Sequence, residues 1–449
     1  MILRDLRRLA LLLGPFAVLL LLILSLLQSH TDDLRSHVGT FLDTHGPSVS
    51  RSSSSASSSS SSSSSSAPLR KPRLTLNETH FEVFSQSTAD AEFFDLRFDH
   101  DVFTPSLIPH PKVNDTWYMV AQLPAKRERG GIVWAREIGC LAQFYKGALM
   151  CIEKAQRLPY KATPSRKCEG EAELLKRQRG PRDTRVFFGP TNPWTVYGSN
   201  SATGCYGQFI QDFRAFDVLG PEWMASVAHR DFRIGSEIQR SPPSNPVQKD
   251  YFVFWDKHDT MHVHYDMFPT RAYAKLEPHG KTGPNLAGKT ANSDSQCLRR
   301  SLPKLADKSE SIRQATNSLR VTLCSRSDAK CTPDDGNTFI MTLVQHQTDF
   351  VEHSEYEPYV VLFRQRPPFE LYAISRLPLW ISGRTRNQGL PTDVVSVTSA
   401  NWRDRGLNYH GYLDDVVMLA FQYGNRHPAA IDVLAGDLLV GLRLCEEIS

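Results

Sequence analysis

The chain has 449 residues, with 52 Lys and Arg against 48 Asp and Glu, and a formal net charge of +4. Charged residues are 22 % of the total, an ordinary share, so nothing in the balance points to nucleic acid as a partner. The basic excess is local, in "AKRERGG", "KRQRGPRDTR" and "NWRDRG", where solvated faces are the usual explanation and anionic ligands such as phosphates the sharper one.

In chain order, the first element is apolar. Arg4, Arg7 and Arg8 precede an uncharged, leucine-dominated stretch from Leu9 to Leu27. As a helix it would reach roughly 28 Å, close to the thickness of a bilayer's hydrocarbon core. The stretch ends "SLLQSHTDD", without the small-residue cleavage site of a removable signal peptide. Basic residues before it and acidic ones after it predict a type II signal anchor. Residues 1–8 are then a cytoplasmic tail, 9–27 the membrane span, and the remainder lumenal, in the Golgi or ER.

Fourteen serines broken only by Ala56 fill positions 52–66. Such a segment cannot offset its ordering entropy, so residues 28–79 read as a disordered stalk. Two sequons, at Asn77 and Asn114, are usable glycosylation acceptors in a lumenal chain. Eight cysteines without a C-x-x-C pair give no support to zinc ribbons or redox motifs. An even count allows disulfides in an oxidising compartment, and Cys140 with Cys151 and Cys324 with Cys331 are near enough to close small loops. Pairing as such is not fixed by the spacing, and buried thiols remain the alternative.

Residues 80–449 have the pattern of strands. "TWYMVAQL", "GIVWARE", "CLAQFYKGALMCI", "RVFFG", "WTVYGS", "YFVFWD", "MHVHYDMF", "LRVTLC", "FIMTLVQH" and "YVVLFRQ" are short, rich in aromatic and β-branched residues, and mostly bounded by turn formers. "FVFWDKHDTMHVHYD" predicts a hairpin, and "RQRPPFELYAIS" a connection between neighbouring strands. Helical periodicity is seen only around Glu171 to Gln178. An all-β domain follows: a sandwich, a barrel or a propeller, with a propeller of degenerate blades the best fit to size and strand spacing.

The motif "GPRDTR", followed by "YGSNSATGCYGQFIQDFRAF", "KDYFVFWDKHDTMHVHYDMFPTRAY" and "YHGYLDDVVMLAF", resembles the family 130 glycoside phosphorylases and hydrolases with their β-mannosyltransferase relatives. The resemblance runs over residues 110–445 and is nearest to an anchored, fungal-type branch. It implies a five-bladed β-propeller. It also implies that Asp183 is the catalytic acid or base, working through a sugar hydroxyl with inversion, and that Arg185 is its electrostatic neighbour. Arg182 and Thr184 stand where the family usually has Glu and Pro. Arg182 beside Asp183 predicts a carboxyl biased towards its charged form, which suits a base.

Further candidates to contact substrate are Asp212, His264, Tyr265, Arg320, His346, Tyr409, His410 and Asp414. His264 and Tyr265 match the family's "HY". Strand alternation puts His262 and His264 on one face, where sugar contact is the better functional reading than metal. Alternation also separates Asp414 from Asp415. Arg320, with Arg313 and Asn317, offers groups suited to phosphate. No metal site is expected and no cofactor, only a sugar nucleotide or sugar phosphate as donor. The reading that follows is an inverting glycosyltransferase, mannosyl by the resemblance, with a glycan or glycoprotein acceptor. A glycoside hydrolase or phosphorylase of the same fold, and a glycan-binding propeller without catalysis, are the alternatives.

Overall fold

A computed structural model describes residues 70–448, apart from 76–77, 129, 164, 166, 221–229, 242–244, 352, 386–393 and 425–426. The stretch 9–27, the serine run 52–66 and Asn77 lie outside the described residues. Among the described residues no helix is long and apolar enough to cross a membrane.

Five antiparallel groups of strands succeed one another along the chain. The first holds Phe103–Pro109, Trp117–Arg127, Val133–Tyr145 and Ala148–Cys151. The second holds Arg182–Phe188, Pro193–Asn200, Tyr206–Asp212 and Ser236–Glu237. The third has Phe252–Trp255, Met261–Asp266 and Ala272–Lys275, and so contains the hairpin expected from "FVFWDKHDTMHVHYD". In the fourth, Glu310–Gln314 and then Leu319–Thr322 share one edge of Thr338–Asp349, followed by Ser354–Arg364 and Leu371–Ser375. The fifth has Val395–Trp402, Val416–Tyr423 and His427–Leu434, and takes its last strand, Phe94–Arg97, from the beginning of the domain. That pairing closes the ring and makes the domain a β-propeller.

The reason for the pattern is visible in one strand. Along Trp117–Val120, Trp117 and Met119 turn to the apolar layer between the first and fifth groups, whereas Tyr118 and Val120 turn to the layer between the first and second. Period-two alternation with both faces apolar is what a sheet covered on both sides requires. The other layers lie in the same way between neighbouring groups, with Phe187, Phe254 and Phe363 in one and Leu319, Val397 and Phe421 in another. Each fully buried side chain of this size contributes about 1.5–3 kcal/mol.

The axis is polar instead. The innermost strand of four groups has an edge with no further strand to pair, whereas Leu319–Thr322 of the fourth pairs in parallel with His410–Tyr412, and side chains help to satisfy the open edges. Val186 N donates to Ser106 Oγ at 2.9 Å, and Asn401 Nδ2 donates to the carbonyls of Leu107 at 2.9 Å and Val186 at 3.1 Å. Asn317 makes two bonds with Ala400, and Ser318 Oγ donates to Val253 O at 2.8 Å.

Four disulfides join Cys140 to Cys151, Cys168 to Cys205, Cys297 to Cys445 and Cys324 to Cys331, which leaves no free cysteine. Two features depart from the sequence reading. Arg73–Leu74, within the span read as stalk, forms a strand against Phe81–Val83, fixed by an Arg73–Glu82 pair at 2.8 Å. The helix Ala291–Ser301 is not expected from sequence, because its apolar content is almost confined to Cys297 and Leu298. It is held by the Cys297–Cys445 bond and by a buried Arg271–Asp294 pair at 2.8 Å, neither of which periodicity can reveal. The segment Glu171–Gln178 is a 3₁₀ turn over Gly170–Arg177.

Candidate functional site

The start of the strand Arg182–Phe188 is irregular. Arg182 faces Gly198 and Arg185 faces Val196, so Asp183 and Thr184 together oppose Tyr197 alone. This is a β-bulge, the device by which a strand re-aims a side chain. Asp183 takes the left-handed backbone conformation, φ +51°, which is strained for a residue with a Cβ. Its N–H donates to Gln122 Oε1 at 3.1 Å, which holds the bulge in place. Gly180 just before it has φ +89°, and a Cβ there would stand 2.2 Å from the Ala135 carbonyl oxygen. The "GPRDTR" motif is therefore a glycine that allows close approach, followed by a presented aspartate.

The carboxyl opens into a cavity of about 680 Å³ at the N-terminal ends of the inner strands. All five groups contribute to its wall, through Thr104, Asp183, Asp250, Gln314 and Thr398 among others. Asp183 is solvent-exposed there, yet the cavity is deep enough to desolvate its charge. Burial raises its pKa first and the Asp250 carboxylate adds to this, against the lowering influence of Arg185, Arg182 and Lys249. The expectation that Arg182 holds Asp183 charged is thereby corrected: desolvation and a like charge outweigh the flanking cations.

Arg185 is nearly enclosed and spans the wall. Its guanidinium donates to the carbonyls of Tyr251 and Gln314 at 3.4 Å each and lies 3.9 Å from Asp250 Oδ1. Beneath Asp183, Glu137 is 1 % exposed, and neither of its carboxyl oxygens has a hydrogen-bond partner. Thr184 stands beside it without reaching hydrogen-bond geometry. Burial and the neighbouring Asp183 push the Glu137 carboxyl well above its ordinary range. Sequence reading missed Glu137, Asp250 and Gln314. Glu137 lies in the strand run "GIVWARE" and Asp250 in the family-like "KDYFVFWD" segment, but neither of them nor Gln314 stands out by residue type or spacing.

The other predicted residues do not join Asp183 and Arg185. Asp212 is fully buried and chelates Arg214, 2.6 Å away, at the outer end of its own sheet. His264 has no exposed surface and stacks on Phe252, behind the cavity wall. Tyr265 is buried beneath Arg240, 5.1 Å from its ring centroid, and lines a different hollow. His346 pairs with Glu310 at 3.3 Å.

Arg320, Tyr409 and His410 gather at the opposite end of the inner strands. Arg320 binds the carbonyls of Trp255 and Asp256 and the Asp259 carboxylate, 3.0 Å away, and lies over the Tyr409 ring. Tyr409 shares a 2.8 Å bond with Ser318 Oγ, and His410 Nε2 one of 2.8 Å with Thr322 Oγ1. Burial, with Arg320 and Arg326 nearby, lowers the His410 pKa to about 4. Asp414 and Asp415 follow a strand rather than continue it, so alternation does not part them. Asp414 accepts from the N–H groups of Arg326 and Ser327, and Asp415 pairs with the Arg326 side chain at 2.7 Å. His262 and His264 do share a face, each stacked on a phenylalanine. Among the described residues no group of three or more His, Cys, Asp or Glu is placed to hold a metal ion. Asn114 is exposed on the turn between the first two strands of the first group.

No family model matches the chain, and no curated protein matches it. Solved structures are similar at low identity. The catalytic domain of a family 62 α-L-arabinofuranosidase of Coprinopsis cinerea aligns with TM-score 0.40 and 9 % identity, over 79 % of this chain and 98 % of that one. A glycosyl hydrolase from Bacteroides ovatus aligns with TM-score 0.38 and 10 % identity, over 82 % and 92 %. A structure described under the family 130 mannoside phosphorylases, as containing hydrolases that target β-1,2-mannosidic linkages in Candida mannan, aligns with TM-score 0.37 and 11 % identity, over 83 % and 92 %. Likeness at this level decides neither reaction nor substrate.

Proposed function

We propose that the protein is a carbohydrate-active enzyme that cleaves glycosidic bonds in the central cavity, as a glycoside hydrolase or phosphorylase, with Asp183 as the general acid. The observation that carries the reading is the Asp183 bulge. It aims a carboxyl with a raised pKa into a polar hollow beside a second carboxyl, Asp250. Protonation of a leaving glycosidic oxygen needs an acid that keeps its proton near neutral pH. Glycosyl transfer needs only a base for the acceptor hydroxyl, whereas cleavage by water uses a pair of carboxyls, one as acid for the leaving oxygen and one as base for the water, and Asp183 and Asp250 line one cavity. Cleavage is therefore preferred to the transferase expected from sequence. In this reading Asp250, beside Arg185, is the group to activate water, whereas Arg185 and Arg313 supply positive charge for phosphate in a phosphorolytic reaction.

The setting is part of the proposal. Anchoring through residues 9–27, a lumenal domain in the Golgi or ER, a sugar chain as substrate and glycosylation at Asn114 fit one another. Four disulfides support an oxidising compartment, and exposure of Asn114 supports its use as an acceptor. Kinship with the anchored, fungal-type branch rests on motif order alone.

The test is a panel of mannosides and arabinosides offered with and without inorganic phosphate, with product anomers read by proton NMR. Sugar release that disappears in Asp183→Asn supports the proposal. Transfer from a sugar nucleotide with no cleavage of any glycan would replace it with the transferase.

A further inference from the structure

A line of buried side chains runs from the helix Ala291–Ser301 to the wall of the cavity. Asp294 Oδ2 takes a bond of 2.8 Å from Arg271, whose side chain is almost completely buried. Arg271 Nε then donates to His264 Nε2 at 3.2 Å. On the other side of the ring, His264 Nδ1 lies 2.5 Å from Gln314 Oε1. The Gln314 amide nitrogen donates to Asp250 O at 2.8 Å and Tyr265 O at 2.9 Å.

The direction of every bond is forced. A guanidinium N–H only donates, so His264 Nε2 carries a lone pair and the proton is on Nδ1. That N–H points at Gln314, which must present its oxygen there and its nitrogen to the two carbonyls. A second proton on His264 would set Nε2–H against Nε–H of Arg271, two donors face to face. Phe252 and Tyr273 stack on the two sides of the imidazole and leave it no other orientation.

We infer that His264 is a positioning residue: held as the neutral Nδ1–H tautomer by Arg271, it locks the Gln314 amide and so fixes Asp250 beside Asp183. Asp250 needs such a hold, because its backbone has φ +61°, a conformation that residues with a Cβ adopt reluctantly. The bond from Arg185 goes to the backbone carbonyl of Gln314 and survives a change of its side chain. The inference uses the assignment of Asp183 and Asp250 to the site but not the reaction proposed for it.

The groups facing Asp183 are Arg182 and Arg185 on its own strand, Lys249 and Asp250 from the third group, and Glu137 and Tyr206 behind it. Those facing His264 are Arg271 and Gln314. Of these, only Asp250 is held through Gln314 Nε2. The experiment is a ¹³C titration of the aspartate carboxyls in the full chain, with Asp183→Asn to assign the Asp183 signal. His264→Phe and Gln314→Met are expected to lower the Asp183 midpoint by about half a pH unit or more, since a like charge has moved away. His264→Asn, which keeps a donor in place of Nδ1–H, is expected to restore it. An unchanged midpoint in whichever of His264→Phe and Gln314→Met folds would overturn the inference, as would a lowered midpoint that His264→Asn fails to restore. If the midpoint moves but no glycan is cleaved by the native chain, the cleavage reading fails and the positioning role stands.

Discussion

The two ends of the propeller axis carry the same kinds of side chain in opposite conditions. At one end Arg320, Tyr409, His410, Asp414 and Asp415 each bond to a carbonyl, a hydroxyl, an N–H or a counter-charge of the protein, and among their buried polar atoms only Arg320 Nε has no partner. At the other, Asp183 projects from a strained bulge into an open hollow, and the Glu137 oxygens and the Thr184 hydroxyl have no partner. Polar groups that satisfy one another hold a ring of sheets together. A carboxyl that projects into the hollow, as that of Asp183 does, is available to something that enters. Density of charged and polar residues in sequence does not separate these cases, which is why "YHGYLDD" and "GPRDTR" look alike as candidates.

The comparison is broken most directly by single substitutions at the two ends. Asp183→Asn is expected to reduce glycan cleavage by about 10²–10⁴-fold, the usual worth of a general acid. Its thermal unfolding at neutral pH should be at or above that of the native protein. The sign follows from the raised pKa: the folded state holds the Asp183 proton more tightly than the unfolded chain. The resulting stability is present at low pH and lost as pH rises through the folded value. Equal activity of the native chain and the Asp183→Asn variant would put Asp183 in the same class as the far end.

Asp212→Ala is expected to cost about 3–5 kcal/mol in denaturant unfolding, because the buried Arg214 loses the carboxylate that chelates it. Activity per folded molecule should be kept. At the far end, His410→Asn should leave cleavage rates unchanged and make unfolding less sensitive to acid. The native His410 pKa is lowered from 6.5 to about 4, so stability is full above pH 6.5 and declines as pH falls towards 4. Urea unfolding midpoints across that range check it. The smallest effect is expected for Arg320→Met, which removes the pair with Asp259 and the bonds to the Trp255 and Asp256 carbonyls but keeps the packing over Tyr409. About 1–3 kcal/mol should be lost, with activity unchanged. A fall in activity there would extend the site to both ends of the axis.

Much of the architecture is legible in the residues. Short runs such as "TWYMV" and "YFVFW", apolar at nearly every position, declare strands covered on both faces, and turn formers mark where they end. The shared face of His262 and His264 follows from their spacing. The role of His264 does not, because it depends on Arg271, Gln314 and Asp294, which come from different elements. The helix Ala291–Ser301 escapes notice because long-range bonds replace the apolar stripe by which a helix is recognised. A rule for strands puts Asp414 and Asp415 on opposite faces, and they lie in a turn.

Sequence by itself determined the all-β character of residues 80–449, through period-two patterning and β-branched and aromatic content, and it marked Asp183 and Arg185 through one glycine-led motif. Only the tertiary structure decided which polar residues share a cavity. Closure of the ring by Phe94–Arg97 against His427–Leu434 brings the starts of five inner strands together, and with them Asp183 and Asp250. It sends Arg320 and His410 to the other end. The physical reason is that a local pattern fixes which way a side chain points from its own strand, whereas its neighbours across the axis, and so its charge and its partners, are set by where distant strands meet.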